Sequence, residues 1–207
     1  MTASDDEPWF HAALQLLDLR QQDRVLALGC GRRRLGAIGQ AVGRHGEVVG
    51  LEATGGATRF GTFDALLLVQ DFGPPPSEGQ MIEMVRKNLR PGGRSVFDLP
   101  SADTVPEFSA AANLLGWPAV HLAALQGIAD DRLADALRGA GLRGVRGVLG
   151  SHLVHFASPS DAVERFADAL QFDDSQRSDL ERVLVSRAGG PGPCDLLVHR
   201  TRLQAIR

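Results

Sequence analysis

The amino-acid sequence predicts an α/β fold with a doubly wound, mostly parallel sheet. Three observations predict this class: helices alternate with strands through the first hundred residues, a glycine turn joins the first strand to a helix, and residues 63–69 form a near-continuous apolar run, as in a strand covered on both faces. The chain has 207 residues, 43% of them hydrophobic, which suits one domain. We therefore expect a single domain over residues 1–207.

The first unit of the fold is a strand, a helix and a second strand. Apolar residues recur at helical spacing over residues 9–19, and a buried strand is expected at 25–28. The turn Gly29-Cys30-Gly31 follows, then a helix closed by Gly43 and a strand at 48–52. A crossover of this length gives parallel strands with a right-handed connection.

The remaining elements follow in order. After the strand at 63–69 we expect a helix at 78–89, ended by Pro91-Gly92-Gly93, and a strand at 94–99. The later elements are expected to be mainly helical with two more strands: a helix at 132–142, a strand at 145–156, helices at 159–170 and 175–186, and a strand from 196 toward Arg207.

Charge and cysteine content exclude several classes of protein. The net charge is -3, and the 22 Lys and Arg residues are spread along the chain, so we expect no binding to nucleic acid. Cys30 and Cys194 lie far apart and form no C-x-x-C pair, so neither a metal site nor a disulfide is indicated. The start is acidic and polar and no apolar run is long enough to span a membrane, which predicts a cytoplasmic location without membrane contact.

Five sequence blocks resemble a known family. They are D-R-V-L-A-L-G-C-G at 23–31, H-G-E-V-V-G-L-E-A at 45–53, F-D-A-L-L-L at 63–68, M-I-E-M-V-R-K-N-L-R-P-G-G-R-S-V-F-D-L at 81–99 and A-L-R-G-A-G-L-R-G-V at 136–145. Together they resemble the class I methyltransferases that use S-adenosylmethionine (SAM), of the methyltransferase type 11-like kind. The chain looks like a degenerate member.

The resemblance implies a SAM site at the carboxyl ends of the strands. Glycines let the backbone approach a ligand closely, and an acidic residue that ends the second strand can accept hydrogen bonds from ribose hydroxyls. Residues after the next strand end where ligands of open α/β sheets bind. The implied cofactor-binding residues are Gly29, Cys30, Gly31, Glu52, Ala53, Gln70 and Asp71. The alternative is that the glycines form only a tight turn and that Gln70 and Asp71 belong to a solvated turn.

Two departures weaken the implied site. Ala27 stands where the family has an acidic residue, and Arg33 replaces the third glycine. Loss of that carboxylate removes a charge-assisted hydrogen bond to the cofactor's amino group, worth about 1.5–3 kcal/mol. In addition, Arg32, Arg33 and Arg34 bring three cations to a helix N-terminus. These arginines either extend into solvent or make the site favour an anion.

The third departure is a missing strand. Residues 53–62 are too few for the family's helix and third strand, so we expect a loop there. In the family's numbering the expected strand order is 2-1-4-5, with the last two strands as an antiparallel pair at the far edge. The exposed edge of the second strand could be covered by a homodimer or another partner subunit.

Three hypotheses about function remain open. The first is a SAM-dependent methyltransferase acting on a small molecule, covered by insertions at about 100–128 and 159–186. The inserted helices at 159–186 are similar to the lid of small-acid methyltransferases of the trans-aconitate type. A base could come from His121, His152 or His155, although methyl transfer mainly requires alignment. The second is a catalytically inactive, methyltransferase-like binding or regulatory subunit. The third is a binder of another, anionic ligand at the glycine loop.

Overall fold

The computed structural model describes residues 8–51, 59–71, 75–101, 103–118 and 130–207. Within these residues the helices are α1 (Pro8–Leu17), α2 (Arg32–Val42), α3 (Glu78–Asn88), α4 (Pro106–Leu114), α5 (Asp130–Gly139), α6 (Pro159–Leu170) and α7 (Asp174–Ala188). The strands are β1 (Arg24–Leu28), β2 (Glu47–Leu51), β3 (Phe63–Val69), β4 (Leu89–Pro100), β5 (Arg143–Phe156) and β6 (Cys194–Ile206). No helix in the described part is long and apolar enough to cross a membrane.

The six strands form one sheet in the order β2-β1-β3-β4-β6-β5. The first four strands in this order are parallel, whereas β6 runs antiparallel to both β4 and β5. The predicted α/β class is therefore confirmed. The predicted strand order is confirmed as well, because β3 and β4 of this chain stand where the family's fourth and fifth strands were expected, and β5 and β6 form the antiparallel pair at the far edge. Residues 59–62 contain no strand and 52–58 lie outside the described residues, so in the described part of the chain β2 is the edge strand next to β1.

The two faces of the sheet are covered by different helices. Side chains alternate between the faces along each strand, and the crossovers β1-α2-β2 and β3-α3-β4 place their helices on opposite sides. On one face α1 and α2 pack through Leu17 and Ile38 against Ala27 and Leu67. On the other face α3 and α5 pack on a cluster that includes Leu26, Leu66 and Phe97.

One boundary differs from the prediction at Pro91-Gly92-Gly93. The sequence predicts that the helix ends at residue 89 and that the strand begins at residue 94. In the structure α3 ends at Asn88, and β4 begins immediately with Leu89. The pairing register between β3 and β4 shifts there, from Phe63 opposite Leu89 to Ala65 opposite Arg94. The proline and glycines therefore form an irregularity inside the strand rather than a separate turn.

A third apolar cluster lies beyond the parallel sheet. β5 and β6 pair along nearly their whole length. The end of β5 around Val154 and Phe156 and the start of β6 around Leu196 and Val198 pack against α4, α6 and α7. Phe108 of α4 stacks edge-on against Phe166 of α6, with ring centroids 5.0 Å apart. These helices fall in the two segments expected to be insertions.

Candidate functional site

The polar residues of interest gather at the switch point of the sheet. The chain leaves β1 for β2 on one side and later returns to β3 on the other, so the connections after β1 and β3 diverge. In open α/β sheets, ligands bind in the crevice that this divergence leaves at the carboxyl ends of the strands. Here the crevice lies between the turn after Leu28 and the residues after Val69.

The glycine turn after β1 has the backbone form that glycine favours. Gly29 has a φ of +69°, and its N–H donates to the carbonyl oxygen of Leu51 at 2.9 Å, which ties the turn to the end of β2. Gly31 caps α2 without a side-chain hydrogen bond, and a Cβ added there would meet no heavy atom within 4 Å. The protein thus leaves space beside Gly31.

Cys30, between these glycines, is a buried thiol. Its Sγ lies 3.7 Å from the carbonyl oxygen of Leu28. Burial raises the pKa of Cys30 to about 12, and the negative charges of Asp71 and Asp98 act in the same direction. The group stays protonated at neutral pH and is neither a nucleophile nor a metal ligand in this state.

An ion pair spans the crevice. Arg34, in the first turn of α2, donates to both carboxylate oxygens of Asp71 beyond β3, at 2.9 and 2.7 Å. Only 12% of the Arg34 side chain is exposed, and its guanidinium lies 5.6 Å from the centroid of the Phe10 ring. Asp71 therefore lies next to the first turn of α2 with its carboxylate bound to Arg34, and its role in cofactor binding stays a prediction.

Arg32 and Arg33, which precede this ion pair, are exposed. Because Asp71 neutralises Arg34, the three consecutive arginines do not act together as a free cationic cluster. Binding of an anionic ligand at the glycine loop stays a prediction, but the Arg34–Asp71 pair reduces the net positive charge available there for such a ligand.

A second arginine, Arg200, bonds to residues at the carboxyl ends of β3 and β4. Arg200 of β6 is buried, and its Nε donates to Asp98 Oδ1 of β4 at 3.0 Å. Its two terminal nitrogens donate to the carbonyl oxygens of Asp71 at 2.9 Å and of Gln70 at 2.7 Å. One guanidinium thus fixes the ends of β3 and β4 and uses carbonyl groups that could otherwise face a ligand.

Asp98 also faces a second buried arginine, Arg202, whose Nε lies 3.8 Å from Asp98 Oδ2. Burial raises the pKa of Asp98, although Arg200 and Arg202 both act to lower it. Neither Asp98 Oδ2 nor Arg202 Nε has a hydrogen-bond partner in the described structure, and the same holds for the buried Nε1 of Trp9. Such atoms are uncommon in folded proteins.

His152 links these groups to α1. Its Nε2 lies 2.7 Å from a terminal nitrogen of Arg202, and its ring meets the ring of Trp9 edge-on at 6.0 Å. Burial lowers the pKa of His152, and the positive charges of Arg202 and Arg200 lower it further. The neutral ring therefore accepts a hydrogen bond from Arg202 through Nε2, which leaves the proton on Nδ1.

The remaining residues that the sequence implied for the site are His155, Gln70, Glu52, Ala53 and His121. His155 lies on the exposed side of β5, where its Nδ1 is 2.9 Å from Asp195 Oδ1. The N–H of Gln70 donates to the carbonyl oxygen of Asp98 at 3.0 Å. Glu52, Ala53 and His121 lie outside the described residues, so their roles stay predictions.

Sequence reasoning missed Arg200 and Arg202. Both lie in the last strand, within V-H-R-T-R-L, where charged residues alternate with residues of other types. Two arginines at alternate positions of one strand share a face. That spacing was the available signal that both could enter the interior together.

Comparisons with known proteins agree with this architecture. No protein-family model matches the chain, and no curated protein sequence matches it. Among solved structures, the protein BH2331 of Bacillus halodurans, a provisional methyltransferase, superposes with a TM-score of 0.58 at 14% identity, over 99% of both chains.

Two further structures are similar to the chain. A cyclopropane-fatty-acyl-phospholipid synthase-like protein of Lactobacillus casei has a TM-score of 0.55 at 13% identity, over 97% of this chain and 90% of that one. The precorrin-6y C5,15-methyltransferase of Geobacter metallireducens has a TM-score of 0.51 at 11% identity, over 99% of this chain and 92% of that one. At these identities the likeness concerns the fold. The chain thus has the Rossmann-like fold of the class I methyltransferases.

Proposed function

We propose that the protein is a SAM-dependent methyltransferase that acts on a small-molecule acceptor. The observation that carries the proposal is the glycine turn at the switch point, where Gly29 has a φ of +69° and the protein leaves space beside Gly31. A turn of this kind allows a ligand to approach the backbone. The class I methyltransferase fold gives this crevice its expected ligand.

The described residues fit SAM at the glycine turn, on one condition. Asp71 offers a carboxylate near the crevice, which suits a ligand with an ammonium group and a sulfonium. That carboxylate is bound to Arg34 through two hydrogen bonds. SAM would therefore fit once the Arg34–Asp71 ion pair has opened.

Opening this ion pair has a cost that predicts weak binding. Hydrogen bonds between charged groups contribute about 1.5–3 kcal/mol each, and those lost here are only partly replaced by contacts to the ligand. Since 1.4 kcal/mol corresponds to a tenfold change, competition with Arg34 lowers the affinity for SAM by about ten- to hundredfold. We expect a dissociation constant of tens of micromolar, on the order of -6 kcal/mol.

The residues of this chain would then have simple tasks. SAM supplies the methyl group, and its in-line transfer depends on alignment more than on a base. Gly29 and Gly31 would hold the ligand close to the backbone, and Asp71 would balance its positive charge. His152 already accepts a hydrogen bond from Arg202, so we expect it to position that arginine rather than to remove a proton.

Calorimetric titration with SAM and S-adenosylhomocysteine tests the proposal. Wild type should bind weakly, and Arg34→Ala should bind about tenfold more tightly because Asp71 becomes available. Arg32→Ala is the matched control, since it removes an exposed cation from the same turn of α2 and should leave the affinity near that of wild type. Failure of both wild type and Arg34→Ala to bind either compound at 1 mM would contradict the proposal.

A second candidate is a methyltransferase-like binding or regulatory subunit without catalytic activity. Arg200 favours it, because this guanidinium uses the carbonyl oxygens of Gln70 and Asp71 at the crevice. Ala27, buried in β1, adds no carboxylate. If SAM binds, transfer of a labelled methyl group from SAM to small molecules of a cell extract distinguishes the two candidates, since the subunit would bind without transferring.

A further inference from the structure

The strand β5 is a long edge of the sheet. It has 14 residues and lies last in the strand order, paired with β6 within the described residues. Edge strands carry backbone groups that can pair with another strand, and proteins commonly protect them with lysine, proline or short length. Residues 147–156 contain no lysine, arginine or proline, and the register shift in this strand lies outside them, between Arg143 and Arg146.

β5 also carries most of the exposed apolar side chains. Among the described residues the exposed large apolar side chains are Leu114, Val148, Leu149 and Leu153, and the last three belong to this strand. Leu149 and Leu153 are 57% and 66% exposed and lie on the same face, because they are four residues apart. An apolar group beside an open strand edge marks a surface for association.

The sequence of this edge is self-complementary. Residues 148–154 read V-L-G-S-H-L-V, which is symmetric in its apolar positions about Ser151. When two such strands pair antiparallel about Ser151, Val148 lies opposite Val154 of the second copy, and Leu149 lies opposite Leu153. Directly opposite side chains share a face and contact each other, so both apolar pairs would form twice.

We propose that two copies of this chain associate through β5, paired antiparallel about Ser151, so that two six-stranded sheets join into one. This contact differs from a cover over the β2 edge, and it does not depend on whether SAM binds. The occupant is a second copy because the apolar positions of residues 148–154 match themselves when the strand is paired antiparallel about Ser151.

Disulfide cross-linking tests the register. In a Cys194→Ser background, Ser151→Cys places the new thiols opposite each other, where Cα atoms of antiparallel strands are about 4.5–5.5 Å apart and a disulfide can form. Gly147→Cys is the matched control on the same face, because its two copies would lie about 27 Å apart. A Cβ there meets only Leu203 at 3.5 Å, an ordinary contact.

We expect mild oxidation to convert most of the Ser151→Cys protein to a covalent dimer and to leave Gly147→Cys monomeric. Sedimentation should show wild type at twice the chain mass of 22.1 kDa and Leu149→Lys at the chain mass, since the lysine removes two apolar contacts per dimer. Leu149 is exposed, so this variant should fold. A monomeric wild type at 100 μM, equal cross-linking of both cysteine variants, or a Leu149→Lys protein that stays dimeric would overturn the proposal.

Discussion

Arg200 and Asp98 form an ion pair between two strands in the interior of the protein, with side chains that are 1% and 0% exposed. The sequence positions are 102 residues apart, and the same guanidinium also holds the backbone of Gln70 and Asp71. This pair therefore joins the antiparallel part of the sheet to the crevice.

Arg200→Met should destabilise the protein by about 3–5 kcal/mol, because it leaves the Asp98 carboxylate buried with a weaker partner. Urea unfolding monitored by circular dichroism measures the change. The control is Glu47→Gln, which breaks an exposed pair with Arg24 and should alter stability little. If Arg200→Met proves too unstable to purify, Arg200→Lys can replace it. This variant keeps the positive charge, so its free energy of unfolding should lie between those of Arg200→Met and wild type. Equal stability of Arg200→Met and wild type would contradict the prediction.

His152 should make stability depend on pH in a defined window. Its pKa in the folded protein lies below its ordinary value, mainly because of burial. The unfolded chain therefore binds more protons between that lowered pKa and about 6.5, and stability falls as the pH drops through this window.

The test is unfolding at several pH values between 7 and 5. His152→Gln can still accept the hydrogen bond from Arg202 but does not titrate, so it should lose less stability on acidification than wild type. If His152→Gln and wild type lose stability equally on acidification, the assignment to His152 is wrong.

Gly93 should be essential for the start of β4. A Cβ at this position would lie 2.9 Å from the carbonyl oxygen of Arg90 and 3.2 Å from that of Asp64, and both atoms belong to the backbone of the sheet. Gly93→Ala should therefore cost about 1–3 kcal/mol. Gly36→Ala is the opposite case, since nothing lies within 4 Å of the new Cβ in α2, and it should raise stability by about 0.5–1 kcal/mol. Thermal unfolding of both variants checks the contrast.

The cluster around Phe166 should open before the parallel sheet does. Phe166 of α6 is buried against Phe108 and Phe156, away from the helices that cover β1 and β3. Phe166→Leu should speed hydrogen exchange in α4, in α6 and in residues 194–198 of β6, and it should leave β1 and β3 protected. Uniform loss of protection over the whole sheet would show that the cluster is not a separate cooperative unit.

The strand order could be predicted because the apolar runs of β1 and β3 and the glycine turn after β1 are local patterns with one common topology. The beginning of β4 could not, since Pro91-Gly92-Gly93 usually indicates a turn and here forms an irregularity within paired strands. The Arg200 contacts were also hidden. Its partners include backbone carbonyl groups, which leave no mark in the sequence, and an arginine in a strand is ordinarily expected at the surface.

The position of β6 has a consequence for synthesis on the ribosome. Among the described strands, β6 follows both β4 and β5 along the chain, yet it lies between them in the sheet and supplies Arg200 to the crevice. Until residues 194–206 have emerged, β4 has an open edge and β5 has no partner among the described strands. The nascent chain therefore completes the described sheet only when β6 inserts between β4 and β5, and the edges of these strands stay unpaired by β6 until then.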